Sequence, residues 1–155
     1  MLGKRQLMSL NIAQGLIQQS IESLKASHNK EKVLLWFGKK SGTSYTVDEI
    51  FTPIQITEAD YFHIPEAGMQ EIMDRLRTTR KMLVAQIHTH PGHAYHSMAD
   101  DKWAILRHEG AYSLVLPFFC STTTEANFLD NVATFILTKS NKWSEVDNSN
   151  ISIYE

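Results

Sequence analysis

Two histidines one residue apart, His88 and His90, are followed closely by Ser97 and Asp100. The apolar run Met82-Leu83-Val84 to Ile87 leads into the pair, and Pro91-Gly92 comes directly after it. This pattern reads as a buried strand that carries both imidazoles to the point where Pro-Gly must stop it. In a regular strand positions i and i+2 share a face, so His88 and His90 can converge on one small object while Thr89 points away. A metal ion is such an object. Catalytic zinc takes three protein ligands and keeps a position open for water, so two neutral imidazoles and one carboxylate make a workable set. Asp100 can supply the carboxylate. Ser97-x-x-Asp100 ahead of Lys102-Trp103-Ala104-Ile105-Leu106 reads as the first turn of a helix, with Ser97 at its N-cap.

These residues resemble the JAMM signature of the JAB/MPN+ zinc metalloproteases, His-x-His followed by Ser-x-x-Asp, met here by His88, His90, Ser97 and Asp100. The stretch Pro91 to His96 is one residue shorter than is usual in that family. Asp100 is the third ligand if the loop has shortened, and Asp101 if the count from His90 is kept. Asp100 is favoured, because the serine-to-aspartate geometry is local to one helical turn whereas loop lengths vary. The resemblance also implies a role for Glu31. Family members carry their catalytic glutamate at the start of a strand with a glycine seven residues on, and Glu31 and Gly38 have that separation.

What the resemblance implies is a Zn²⁺ ion held by His88, His90 and Asp100, with a zinc-bound water activated by Glu31, which passes the proton to the leaving amine. Ser97 would donate a hydrogen bond to the oxyanion of the tetrahedral intermediate. Each residue alone has a plainer reading. A His-x-His pair can be incidental, Ser97 and Asp100 can be a helix cap, and Lys30-Glu31-Lys32 can be a solvated turn. His93 and His96 lengthen the histidine run enough to trap Zn²⁺ or Ni²⁺ adventitiously. The conjunction of residue types, order and spacing is what carries the resemblance, which extends from about Leu7 to Leu137.

The variant His-Thr-His-Pro-Gly-x-Ala-x-His-Ser-x-x-Asp-Asp is most similar to bacterial JAB proteins of ubiquitin-like conjugation systems, including antiphage operons with E1-like and E2-like partners. The implied activity is deubiquitinase-like: cleavage of the C-terminal tail of a ubiquitin-like protein, or of the isopeptide linkage in its conjugate. Two other functions fit the same residues. One is hydrolysis of a sulfur-carrier protein's tail or a small amide; the other is a catalytically silent MPN scaffold, although such scaffolds generally lack a metal ligand.

Several elements must position these residues. Glu31 to Gly38 contains a continuous apolar run and predicts a strand buried on both faces. Tyr45 to Phe51 is its hairpin partner across the polar turn Lys39 to Ser44. Gln6 to Leu10 reads as an opening strand, and Ile12, Leu16, Ile17, Ile21 and Leu24 place a helix over Asn11 to about Ser27. Ile54 to Pro65 has no clean period; in the resembling fold this region crosses toward the catalytic groove. A second helix runs from Pro65-Glu66 to about Thr79, with a basic end at Arg75, Arg77, Arg80 and Lys81. A third is expected from Ser97 to about His108. Ser113 to Phe119 is a strand whose Pro117 argues for an edge or an ending. Cys120 to Asn127 is a loop, Asn131 to Leu137 a strong strand, and Ile151 to Tyr154 a terminal one. The order predicts an α+β, α-β-α layered fold. The resemblance narrows this to an MPN/JAB-like, cytidine-deaminase-like mixed sheet flanked by helices.

At 155 residues the chain has the length of one domain, read as a single JAB/MPN+ domain over 1–155. A formal net charge of −2 gives no electrostatic reason to expect nucleic acid or an acidic membrane surface as partner. A lone cysteine, Cys120, excludes an internal disulfide and fits a reducing compartment. The stretch after Met1 is broken by Ser9, Asn11 and Gln14, so neither a signal peptide nor a membrane span is expected, and the expected location is cytoplasmic.

Overall fold

The apolar run Val33 to Phe37 lies near the middle of the main sheet and feeds both hydrophobic layers. In the computed structural model, which describes residues 7–95, 105 and 108–155, this run opens strand β2 (Val33–Ser41). Before it come β1 (Ser9–Ala13) and helix α1 (Gln14–Lys25). After it come β3 (Ser44–Phe51), the two-residue strands β4 (Ile56–Thr57) and β5 (Phe62–His63), helix α2 (Glu66–Thr79) and β6 (Met82–Thr89). The chain closes with β7 (Tyr112–Leu116), the short helix α3 (Phe128–Asn131), β8 (Ala133–Leu137), β9 (Trp143–Val146) and β10 (Ile151–Tyr154). Among the described residues, eight strands form one mixed sheet in the order β10-β1-β3-β2-β6-β7-β8-β9, and β4 pairs with β5 apart from it. No helix among them is long and apolar enough to cross a membrane.

Period-2 alternation divides the core into two. Leu34 and Trp36 face α1, where they join Ile17, Ile21 and Leu24. Val33, Leu35 and Phe37 face the other way, toward Ile72 and Leu76 of α2 and Phe62 of β5. Each such side chain contributes about 1.5–3 kcal/mol on full burial, and β2 supplies them to both layers. The Trp36 indole N–H is not left unsatisfied: it donates to Ser20 Oγ at 3.0 Å, and that hydroxyl donates to Leu16 O at 2.7 Å. The result is the expected α+β sandwich of helix, sheet and helix.

Three expectations shift in detail. The opening strand covers Ser9–Ala13 rather than Gln6 to Leu10, and α1 begins at Gln14 rather than Asn11. Leu10 and Ile12 are both fully buried, and Ile12 lies in register between Val47 and Ile153, so alternation prevails over helical spacing in this stretch. Pro117 marks an ending and not an edge, since β7 lies between β6 and β8 with all five residues buried. Apart from Ile105 and His108, the expected helix from Ser97 to about His108 lies outside the described residues, and Ser97, Asp100, Asp101 and Trp103 lie outside them too.

Candidate metal centre

One register builds the site. β2 and β6 run antiparallel with Val33 opposite His88, and two further steps place Glu31 opposite His90. Directly opposed residues of an antiparallel pair share a face, as do i and i+2 on one strand. Glu31, His88 and His90 therefore leave the sheet on the same side, the one that also carries Val33. Lys32, between them in sequence, points to the opposite side. Its ammonium donates to Ser23 O at 2.9 Å and contacts Ser23 Oγ at 3.3 Å near the end of α1, and burial there lowers its pKa.

The three side chains meet. His88 Nε2 and His90 Nε2 are 3.3 Å apart, and Glu31 Oε1 is 3.6 Å from His90 Nε2. One ligand atom from each residue lies within 4.8 Å of the other two. Exposure is 3% for Glu31, 0% for His88 and 3% for His90, so this is a buried acid beside two buried imidazoles inside an apolar shell. Two nitrogens each about 2.0–2.1 Å from a tetrahedral ion stand roughly 3.3–3.4 Å apart. The observed separation of the histidine nitrogens thus suits ligands of one ion, and paired imidazoles suit a divalent first-row metal.

The shell around the trio is specific. Phe62 of β5 stacks at a tilt on His88 with centroids 5.4 Å apart, and Tyr95 meets the His90 ring edge-on at 4.6 Å. His90 is fixed through its backbone: its N–H donates to Leu116 O at 2.9 Å, and its carbonyl accepts from Phe119 N–H at 2.7 Å. The second of these bonds comes from an unusual turn after Pro117, in which Phe118, Phe119 and Cys120 all have left-handed φ (53°, 52° and 66°). Non-glycine residues pay roughly 1–2 kcal/mol each for that region, so the turn concentrates strain against the backbone of a proposed ligand. Phe118 N–H donates to Gly92 O at 2.9 Å, so the same turn also holds the Pro91-Gly92 loop.

Glu31 is held as firmly. Its N–H donates to Glu58 O at 2.6 Å, and Glu58 N–H in turn donates to Tyr61 O at 2.9 Å, which ties the acid to the β4–β5 hairpin. Lys32 N–H donates to Thr89 Oγ1 at 3.2 Å and Lys32 O accepts from Thr89 N–H at 3.2 Å. Thr89, which the alternation turns away from the imidazoles, is thus the link that keeps Glu31 level with His90.

Of the expected residues, Glu31, His88 and His90 are brought together; Ser97 and Asp100, with the alternative Asp101, lie outside the described residues. His93 is not in the trio: its ring packs edge-on against Phe118 at 5.3 Å. Phe62, Tyr95, Glu58 and Gln55 all shape the site without having been singled out in the sequence. For Gln55, Glu58 and Phe62 the advance signal was the position of Ile54 to Pro65, which carried no periodicity; Tyr95 had only its place after Pro91-Gly92.

Comparison with known proteins agrees with the geometry. The chain is 30% identical over 120 residues to probable metalloprotease y4jG of Sinorhizobium fredii, a match covering 75% of this chain and 72% of that protein. The chain belongs to the JAB/MPN metalloprotease family. The fold of this JAB/MPN protein is similar to the solution structure of protein DSY2949 from Desulfitobacterium hafniense, with a TM-score of 0.71 at 14% identity, covering 94% of this chain and 93% of that one. It is also similar to AF2198, a JAB1/MPN domain protein from Archaeoglobus fulgidus, with a TM-score of 0.55 at 18% identity, covering 95% and 98% of the two chains. No protein-family model matches this JAB/MPN chain.

Proposed function

We propose that this JAB/MPN protein is a zinc-dependent peptidase or isopeptidase that cleaves the C-terminal tail or isopeptide linkage of a ubiquitin-like modifier. The observation that carries the reading is the buried meeting of Glu31 with His88 and His90. His88 and His90 would hold the ion through Nε2, with Asp100 as the third ligand by resemblance. Such an ion would supply Lewis acidity toward a scissile carbonyl and toward water. The Glu31 carboxylate sits on the ligands' side of the sheet, where Oε1 can take a proton from the attacking water. It returns that proton to the leaving nitrogen, as a general base that becomes a general acid. Ser97, by resemblance, donates a hydrogen bond to the developing oxyanion, an interaction worth roughly 3 kcal/mol in other hydrolases. Phe62 and Tyr95 pack their rings against the two imidazoles.

A protein tail as substrate is supported by the surroundings of the trio. The hairpin that holds Glu31 carries exposed Ile56 and Tyr61, and Tyr95 is exposed beside His90, so apolar side chains flank the site. Partners of the E1-like and E2-like kind follow from the resemblance to conjugation-operon proteins. The test uses zinc-loaded protein and modifier fusions with a C-terminal reporter. Glu31→Gln should retain stoichiometric zinc and lose at least 100-fold in cleavage, whereas His88→Ala should lose both. Wild-type turnover by Glu31→Gln would discard the role of the acid. Zinc content of Asp100→Ala against Asp101→Ala identifies the third ligand. Cleavage of short amides but of no modifier fusion would move the substrate to the small-molecule or sulfur-carrier class.

A further inference from the structure

The β2–β3 ladder ends where the acid most needs support. Leu35 pairs with Phe51, and two further steps would set Val33 opposite Pro53. Proline has no N–H to donate, so the ladder cannot continue, and the chain turns away toward β4. Val33 is nonetheless satisfied on that flank. Its N–H donates to Gln55 Oε1 at 2.8 Å, and its carbonyl accepts from Gln55 Nε2 at 2.9 Å. The same Nε2 lies 3.2 Å from Pro53 O. A carboxamide offers the donor and acceptor of a peptide group, so the Gln55 side chain stands in for the strand residue that Pro53 cannot be.

We propose that Gln55 is a positioning residue for Glu31, its carboxamide extending the sheet past Pro53 and thereby fixing the strand end from which the acid reaches His90. This rests on the role given to Glu31 above. The three consecutive N–H groups of Glu31, Lys32 and Val33 are taken by Glu58 O, Thr89 Oγ1 and Gln55 Oε1. Gln55 also bonds the carbonyl of Val33 and so sets the direction of the strand on the β3 flank, as Thr89 does through Lys32 on the β6 flank. Without it Val33 retains its pairing with His88 on β6 but loses its partner on the other flank. The two histidine ligands stand at the end of β6 and just after it, on the other side of β2 from that flank.

The test is the visible absorption of the Co²⁺-loaded protein, which reports the surroundings of the ion without a substrate. Glu31→Gln sets the reference change. Gln55→Met, which keeps the length and volume and removes both hydrogen bonds to Val33 and the one to Pro53 O, should reproduce at least half of that change while Co²⁺ affinity stays within about threefold of wild type. In the Glu31→Gln background it should add nothing, because it acts through the acid. If Gln55→Met does not fold, Gln55→Glu decides: it keeps the acceptor for Val33 N–H, loses the donor, and should show a smaller change of the same form. An unaltered spectrum in the Gln55 variants beside an altered one in Glu31→Gln overturns the inference alone. An unaltered spectrum in Glu31→Gln overturns the inference as well, while the turnover of that variant judges the role of the acid separately.

Discussion

Replacing Gly38 with alanine should destabilise the protein far more than adding one methyl group to a surface strand would suggest. At Gly38 the register of β2 against β3 shifts: Phe37 is opposite Glu49 but Gly38 is opposite Val47, leaving Asp48 as the extra residue of a bulge. A Cβ built on Gly38 would press on the Thr46 carbonyl oxygen, with the carbonyl carbon at 2.8 Å and Val47 Cα at 3.0 Å. These are backbone atoms of a paired strand, so no rotamer change relieves the clash. To restore ordinary contact at 3.4 Å the carbonyl carbon alone must retreat by about 0.6 Å, and the oxygen farther. Overpacking of that kind costs roughly 1–3 kcal/mol, and loss of one neighbouring ladder bond adds about 1 kcal/mol. The expected loss is therefore about 2–4 kcal/mol, or on the order of 5–15 °C in Tm for a domain of this size. Urea denaturation followed by tryptophan fluorescence measures it, since Trp36 lies two residues away in the buried part of the strand. A Gly38→Ala variant within about 0.5 kcal/mol of wild type would refute the packing argument.

Two further predictions concern the surface that braces α2 against β3. Glu49 takes hydrogen bonds from Arg75 Nε at 2.7 Å and Lys81 Nζ at 2.9 Å; burial pushes its carboxyl pKa up, but the Lys81 and Arg75 contacts together outweigh this and hold it below the ordinary value. A depressed folded-state pKa gives stability that is present above the unfolded value, about pH 4.5, and is lost as pH falls through the lower folded value. The stability gap between wild type and Glu49→Gln should thus be constant near neutrality and close in that acid window, and urea midpoints that keep the same gap down to pH 3 would count against it. Arg80 follows the end of α2 with φ 58° and ψ 23°, exposed, its N–H donating to Leu76 O at 2.9 Å. Arg80→Gly should raise stability by about 0.5–1 kcal/mol, because glycine adopts this left-handed cap without a Cβ penalty, and an unchanged or lowered denaturation midpoint would contradict that.

Much of the site was legible because it obeys a short period. His88 and His90 converge because i and i+2 share a strand face, and Val33 to Phe37 is buried on both sides as its unbroken apolar run required. Glu31 was legible only through its separation from Gly38 in the resembling family; composition alone would have left a charged turn. The supports of Glu31 were not legible. Gln55 reaches Val33 across 22 residues and Thr89 reaches Lys32 across 57, and a side chain that bonds a distant backbone leaves no trace in local periodicity. The turn at Phe118 to Cys120 escaped for another reason: left-handed φ is normally announced by glycine or asparagine, and this turn has neither. Ile12 was assigned to a helix because its spacing satisfies both periods, and only its partners on β3 and β10 decide between them.

Gly38 and Glu31 bear on one requirement from opposite ends of the same stretch. Side chains on a strand alternate, so sliding β2 by one residue against β6 would turn Glu31 away from the imidazoles and bring Lys32 to them. Hydrophobic pattern resists such a slip weakly here, because Val33 to Phe37 is apolar on both faces and would stay buried in either register. Resistance must come from features that are not periodic. On the β3 flank the bulge admits only a residue without Cβ beside the Thr46 carbonyl, and a slip would put Phe37 or Lys39 there. On the β6 flank the register shift between Trp36 and Phe37 passes over Val84, and at the far end Thr89 grips both the N–H and the carbonyl of Lys32. The separation of the acid from the glycine thus has a mechanical meaning: Gly38 fixes the register, and the register delivers Glu31 to the metal-binding face. Substitutions at Gly38 should accordingly impair the acid's placement even where the two histidines still bind metal.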